Sequence, residues 1–298
     1  MTKIDYIGKC LLLRNINKKT GKKKKILVIG DLHLGYEEAL NKTGVFVTRQ
    51  MFEEMIKEFD LIFEKIEKKY EKKELAYTTK GLEIIGKDGM IRDNKSNIKD
   101  NDGGVGGDEG YVVDEIVLLG DVKHVFGTIM KQEWGDVLKL FDYLLEKGKK
   151  VVVVEGNHDA ILEPIVKQRK EIQLEEFYVD HNVIFLHGDK DFEQIWDDEI
   201  DIVILGHIHP AVKLSGGAKV EKYKCFLDGI HKNKKFMLVP SFSEYSKGID
   251  IREYEIKNPW NIDFKKFNVK VVNGLKILDF GKLKKLNWVI IFSLLLVI

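Results

Sequence analysis

The chain has 298 residues, enough to bury a large core as one α/β domain or a domain with an appendage. Its 49 Lys and Arg against 48 Asp and Glu leave a net charge of +1, so bulk charge does not point to a polyanion partner, and only five of the basic residues are Arg. Cys10 and Cys225 make no CxxC pair and no disulfide framework, and the charged start Met1-Thr2-Lys3-Ile4-Asp5 lacks the apolar stretch of a signal peptide; a reducing cytoplasm is the compartment these features predict.

The β-branched run Lys25-Ile26-Leu27-Val28-Ile29 predicts a buried central strand that ends at Gly30. Over 48–68, Met51, Met55, Phe59, Ile62, Phe63 and Ile66 recur at helical spacing between charged residues, which predicts an amphipathic helix. Residues 71–112 are polar, Gly-rich and aperiodic, and predict a mobile insertion, a solvated loop in preference to a lid. Order returns with Ile116-Val117-Leu118-Leu119, a helical pattern over 134–146, and the runs Val151-Val152-Val153-Val154, Val183-Ile184-Phe185-Leu186 and Ile202-Val203-Ile204-Leu205. Runs this uniformly apolar belong to strands covered on both faces. The stretches 211–214, 220–227 and 236–239 predict antiparallel strands, so the element order predicts two mixed sheets flanked by helices. The apolar tail 286–298, at about 13 residues, is shorter than the ~20 of a membrane-spanning helix. It reads as a buried terminal strand, with a membrane or partner anchor as the sharper alternative.

Five short polar motifs follow these apolar runs: Gly30-Asp31-Leu32-His33, Gly120-Asp121, Gly156-Asn157-His158-Asp159, His187-Gly188-Asp189 and Gly206-His207-Ile208-His209. Six of the eight histidines lie in or beside them; His181 and His231 lie elsewhere, and His181, before a strand, reads as a surface or turn residue. Phosphoester hydrolysis needs a strong nucleophile and neutralisation of charge building on phosphorus, and two cations about 3.5–4 Å apart supply both. A bridging carboxylate with a shell of neutral imidazoles and amide oxygens would hold them. In Asp31-Leu32-His33 and His207-Ile208-His209, alternation at a strand end would point both outer side chains the same way. Any single motif has a bland reading as a surface pair or turn. All five in order behind apolar strands do not, because flanked Asp, Asn and His have no packing use there. Lys123 and Lys190 flank motifs and are read as solvated or as contacts for a substrate phosphate. The segment 241–245, behind Pro240, is a candidate rim loop.

Together these motifs resemble the calcineurin-like metallophosphoesterase superfamily, with its pattern D-x-H, G-D-x-x-[DH], G-N-H-[DE], a lone H and G-H-x-H, over residues 25–210. The resemblance implies a four-layer α/β/β/α sandwich with two mixed β-sheets, a domain over 1–285 with the insertion 71–112, and a separate tail 286–298. It implies one metal held by Asp31, His33 and His209, a second by Asn157, His187 and His207, with Asp121 bridging. His158 would then donate to the phosphate or leaving group rather than bind metal. Mixed nitrogen and oxygen ligation suits Mn²⁺, with Zn²⁺, Fe or Ni²⁺ as alternatives, since hard Mg²⁺ is a poor partner for imidazoles.

The third residue after Asp121 is His124, where phosphoprotein phosphatases carry Asp. In this the chain is similar to SbcD-type repair nucleases, in which that histidine supports the catalytic one. The opening Gly30-Asp31-Leu32-His33-Leu34-Gly35-Tyr36-Glu37 resembles more closely the archaeal SbcD-related and the bacterial DNA-ligase-associated phosphoesterases. The resemblance therefore implies in-line hydrolysis of phosphodiesters by a hydroxide shared between the cations, with DNA or RNA, or nucleotides, as substrate and a DNA-repair protein as a candidate partner. A phosphomonoesterase or small cyclic-nucleotide phosphodiesterase is the enzymatic alternative. An inactive scaffold of the same fold would show replaced ligands, and none is replaced here. A lipid-headgroup phosphoesterase would rest on the tail alone.

Overall fold

The computed structural model describes residues 2–16, 23–80, 111–216, 219–253 and 256–285. A first sheet runs through β1 (Lys3–Ile7), β2 (Cys10–Ile16), β3 (Lys23–Ile29), β4 (Val113–Leu118), β5 (Gly148–Val154) and β6 (Ile172–Glu175) in that spatial order. The first three strands are antiparallel and β3 to β6 are parallel. The helices α1 (Tyr36–Lys42), α2 (Met51–Lys80), α3 (Lys131–Lys147) and α4 (Glu163–Val166) belong to its connections. The second sheet contains β7 (Tyr178–Asp180), β8 (Val183–Leu186), β9 (Ile202–Leu205), β10 (Pro210–Gly216), β11 (Lys219–His231), β12 (Lys234–Leu238), β13 (Ile249–Asp250), β14 (Asn268–Asn273) and β15 (Lys276–Lys282). Its order is β13-β10-β11-β12-β9-β8-β7, with β14 against β11 and β15 against β14.

Alternation along each central strand splits the apolar side chains between two cores. In β5, Val151 and Val153 pack toward the helices, while Val152 and Val154 meet the second sheet. In β9, Ile202 and Ile204 face the first sheet, and Val203 and Leu205 face outward into a third core. The α2 stripe Met51, Met55, Phe59, Ile62, Phe63 and Ile66 is wholly buried, as its spacing predicts. Phe59 stacks on Phe242 with centroids 4.2 Å apart and planes 11° from parallel, so the helix layer grips the 240–246 loop. Truncating such a core ring to Ala costs about 3–5 kcal/mol.

The two mixed sheets and their helical side match the layered α/β expectation. The outer face of the second sheet is finished differently. Among the described residues it is covered by single 3-10 turns at Glu193–Trp196, Phe264–Lys266 and Leu283–Lys285, and by Trp260 and Ile262 from the intervening chain. Pro259 prevents a continuous helix there, and Asn258 instead closes a turn by accepting from Ile262 N at 2.8 Å.

Helix α2 extends to Lys80, past the point where apolar periodicity ends, so 71–80 of the expected insertion is helical. Residues 81–110, and the tail 286–298, lie outside the described residues. No helix among the described residues is long and apolar enough to cross a membrane. Cys10 and Cys225 are both buried and unpaired with each other.

Candidate metal centre

The five motifs leave the ends of β3, β4, β5, β8 and β9 and converge. Leu32 N and His33 N both donate to Asp121 O, at 3.1 and 2.8 Å, which ties the first motif to the second. His207 N donates to both Asp31 carboxylate oxygens at 3.1 Å, which ties the first to the fifth. His158 N donates to Asp121 Oδ1 at 2.9 Å, tying the third to the second. The motifs are thus laced together through backbone N–H groups, which leaves the side-chain tips to face one another.

Strand alternation does not aim these side chains. His33, Asp121, His207 and His209 have φ of 48°, 46°, 62° and 47°, left-handed values that Asp and His tolerate better than branched residues. The chain breaks out of the extended form at each motif, and this break turns the outer residues of Asp31-Leu32-His33 and His207-Ile208-His209 inward. Close approach explains two of the motif glycines. A Cβ on Gly156 would lie 2.3 Å from Asp121 N, and one on Gly120 would lie 2.6 Å from His187 Nδ1.

Two groups of potential ligand atoms result, each with its atoms within 4.8 Å of one another: Asp31, His33, Asp121 and His209, and Asp121, His187 and His207. Asp121 belongs to both. Its Oδ2 lies 3.7 Å from His33 Nε2, and its Oδ1 lies 3.5 Å from His187 Nε2. Asn157 Oδ1 joins the second group, 2.9 Å from His187 Nε2. His33 also groups with His124 and His158.

Contacts outside the cluster set which ring nitrogen faces in. His187 Nδ1 is 2.7 Å from Leu119 O and donates to it, which leaves Nε2 to the cluster. Ser246 Oγ lies 2.8 Å from His209 Nδ1, so His209 presents Nε2, 3.1 Å from Asp31 Oδ1. Ser246 belongs to no motif. Its only sequence signal is that it follows the predicted rim loop. That loop lies behind Asp31, whose carbonyl accepts from Ser241 Oγ, Phe242 N and Ser243 N.

The donor set fits a divalent cation. Ring nitrogens face each other at 3.3 Å (His33 and His209 Nε2) and 3.0 Å (His207 Nδ1 and His187 Nε2), distances at which each pair can share a proton or bind one cation. Burial, helped by the imidazoles of His209, His158 and His124, pushes His33 down to about 3. Burial and then His187 lower His207. Burial works to raise Asp31, but His209, His187 and His33 together outweigh it and hold the carboxyl below the usual carboxylate range. Burial and the Asp31 charge raise Asp121 against the pull of His187. Burial favours neutral His187, yet Asp31 and Asp121 raise it overall. Two crowded carboxylates favour positive charge among the imidazoles, and a bound cation would answer the same demand.

His158 presents Nε2 to the cluster, 3.7 Å from Asp121 Oδ2, because its Nδ1 donates to His124 O. His124 thus meets His158 Nδ1 through its backbone carbonyl and not through its imidazole. Its imidazole lies alongside His158, centroids 5.6 Å apart and 23° from parallel, with Nδ1 3.4 Å from His33 Nδ1. Burial, then His158 and Lys123, lower the His124 imidazole to about 4.

Lys123 is neither solvated nor aimed at a phosphate. It is fully buried, and its ammonium is bound by Val125 O and Thr128 O. Lys190 is exposed. Asp159 is a buried clamp that accepts from Gly156 N, Val122 N and Lys123 N at 3.1–3.3 Å. His181 occupies the exposed turn between β7 and β8, outside the cluster.

The sequence model of the calcineurin-like phosphoesterase family matches residues 24–211, a span that holds all five motifs. No curated protein sequence matches the chain. Solved structures similar to it include nuclease MPE from Pseudomonas putida, at 13% identity over 94% of this chain and 100% of that one, with a TM-score of 0.48. A predicted phosphoesterase from Streptococcus pneumoniae is similar at 15% identity over 57% and 83%, TM-score 0.25. Entamoeba histolytica Vps29 in complex with zinc is similar at 17% identity over 58% and 85%, TM-score 0.25.

Proposed function

This chain belongs to the calcineurin-like phosphoesterase family, and on that premise we propose that it hydrolyses phosphodiester bonds, in nucleic acid or nucleotides, at a site for two divalent cations. The observation that carries this reading is the position of Asp121, which turns one carboxylate oxygen toward His33 and the other toward His187. Two cations bound there would lower the pKa of an attacking water and neutralise charge on the phosphoryl oxygens. Mn²⁺ suits the mixture of imidazole, carboxylate and amide oxygen.

The chain's own residues do the rest. Asp31 and Asp121 supply fixed negative charge to hold the cations, and the backbone donors on them prevent either carboxylate from turning away. His158 is held in one tautomer by His124 O, so its Nε2, when protonated, points a proton at the leaving oxygen. A phosphodiester carries a single negative charge. Lys123, the cation next to Asp121 in sequence, is committed to Val125 O and Thr128 O, which accords with a substrate of low charge. Within the family, Gly120-Asp121-Val122-Lys123-His124 favours the SbcD-related phosphoesterases. Buried unpaired cysteines accord with a reducing compartment such as the cytoplasm.

A Mn²⁺-dependent panel of bis(4-nitrophenyl) phosphate, 4-nitrophenyl phosphate and single-stranded DNA, with Asp121→Asn as control, tests the reading. Diester and DNA should be turned over in preference to the monoester. A strong preference for the monoester would instead identify a phosphomonoesterase.

A further inference from the structure

An unbroken file of aromatic rings leads outward from the site. Tyr245 lies 5.6 Å from Tyr36, Tyr36 lies 4.4 Å from His124, His124 lies 5.6 Å from His158, and Phe126 lies 3.6 Å from His158, all between centroids. Phe126 ends the file and is 59% exposed. Its neighbours are unusually well anchored for a surface loop. The buried Lys123 ammonium binds the carbonyls on either side of Phe126 and Gly127. The fully buried Glu133 carboxylate accepts from His124 N, Val125 N and Met130 N. Two buried charges thus hold a five-residue loop whose tip presents an apolar ring to water. Its ring contact among the described residues is with the His158 imidazole, and it belongs to none of the buried core clusters.

We infer that Phe126 is a stacking platform for a nucleobase attached to the scissile phosphate, and so a specificity-determining residue beside His158. The inference rests on the phosphodiesterase reading above. A ring tilted 34° from the His158 imidazole plane, beside the place assigned to the leaving oxygen, would take the base of the nucleoside next to that oxygen on its exposed side. Stacking on an exposed aromatic is sequence-tolerant, since every base has a π-face. The platform therefore predicts preference for nucleotide esters over alkyl esters without preference among bases.

The test is a cycle between enzyme and substrate with Mn²⁺, using the dinucleotide TpT and two analogues that each lack one base. Because Phe126 is exposed, its substitution does not threaten folding. Phe126→Ala should raise KM for TpT about tenfold, with a smaller effect on kcat, and Phe126→Trp should restore it. Removing one of the two bases should raise KM similarly for the wild-type chain and add nothing further in Phe126→Ala. Losses that simply multiply, or a fall in kcat with KM unchanged, would overturn the platform and leave Phe126 as a brace for His158.

A second readout separates this inference from the function beneath it. Binding of the dinucleotide carrying 2-aminopurine should quench its fluorescence in the wild type and not in Phe126→Leu. Quenching without cleavage would end the phosphodiesterase reading and keep the platform. Cleavage with equal quenching in both proteins, or with none in either, would do the reverse. Neither binding nor cleavage would end both.

Discussion

The floor and the rim of the cluster are built by different means. On the floor, Asp31, Asp121 and His187 are 0%, 2% and 1% exposed, and each is fixed by a backbone donor or acceptor at a strand end. On the rim, His158 and His124 are half-buried and Phe126 is exposed. They are held by ring contacts and by one loop whose anchors are Lys123 and Glu133. The floor is therefore a property of the whole two-sheet fold. The rim belongs to two connections, from β4 to α3, which carries His124 and Phe126, and from β5 to α4, which carries His158. Changes on the floor should remove the chemistry, whereas changes on the rim should alter its rate and substrate.

The largest expected effect lies on the floor. Asp121→Asn removes the charge shared by both ligand groups and should lower kcat with Mn²⁺ by on the order of 10⁴; near-normal turnover would break the division. His158→Ala should cost about a hundredfold in kcat, while Mn²⁺ binding measured by calorimetry stays intact. Loss of Mn²⁺ binding would move His158 to the floor. Metal itself should act on the fold. Mn²⁺ at a hundred times its Kd should stabilise the chain by about 2.7 kcal/mol, read as a rise in Tm that a chelator reverses and that Asp121→Asn diminishes.

Smaller effects sharpen the boundary. Ser246→Ala frees Nδ1 of His209 and should weaken Mn²⁺ binding about tenfold, which calorimetry would show; an unchanged affinity would exclude Ser246 from the ligand support. The last prediction concerns the layer beneath Asp31. Burial, then the charge of Lys9, lowers the Lys224 ammonium from 10.5 to about 7, while its Nζ donates to Ser241 O and Ser243 O in the loop behind Asp31. Between those values the unfolded chain binds more protons than the folded one, so this group adds stability as pH rises from about 7 toward 10. Relative to Lys224→Met, the stability of the wild type should climb with pH at no more than about 1.4 kcal/mol per unit. Parallel denaturation midpoints across that range would contradict it.

Much of the floor is legible in the sequence because metal ligation demands residue types that packing does not. Asp31, His33, Asp121, Asn157, His187, His207 and His209 stand out against the β-branched runs that precede them, and the structure brings all seven together. How they come together is not legible. Alternation would aim Asp31 and His33 along a strand, whereas a left-handed residue does it, and backbone dihedrals at single positions leave no residue-type signature when Asp or His adopts them. Lys123 reads as a surface charge because its carbonyl partners, two and five residues on, are backbone groups. Ser246 meets His209 across 37 residues, and no local pattern encodes that contact. Helix α2 continues to Lys80 through Glu71-Lys72-Lys73-Glu74-Leu75-Ala76, residues of high helix propensity that carry no apolar period. The short turns on the outer face of the second sheet escape an analysis by periodicity because a single 3-10 turn has no repeat to detect.

The left-handed backbone at His33, Asp121, His207 and His209 also bears on how such a chain would evolve. Each non-glycine residue in that region costs on the order of 1 kcal/mol, and these four sit there with polar side chains crowded together. Selection for heat resistance alone would act on these positions early, since glycine or asparagine relieves the backbone and, at the histidines, thins the crowd of imidazoles. A lineage released from turnover should therefore lose its histidines here before it loses the valines of β5. Four costly backbone positions with ligand-type side chains thus serve the cluster and not the packing of the sheets.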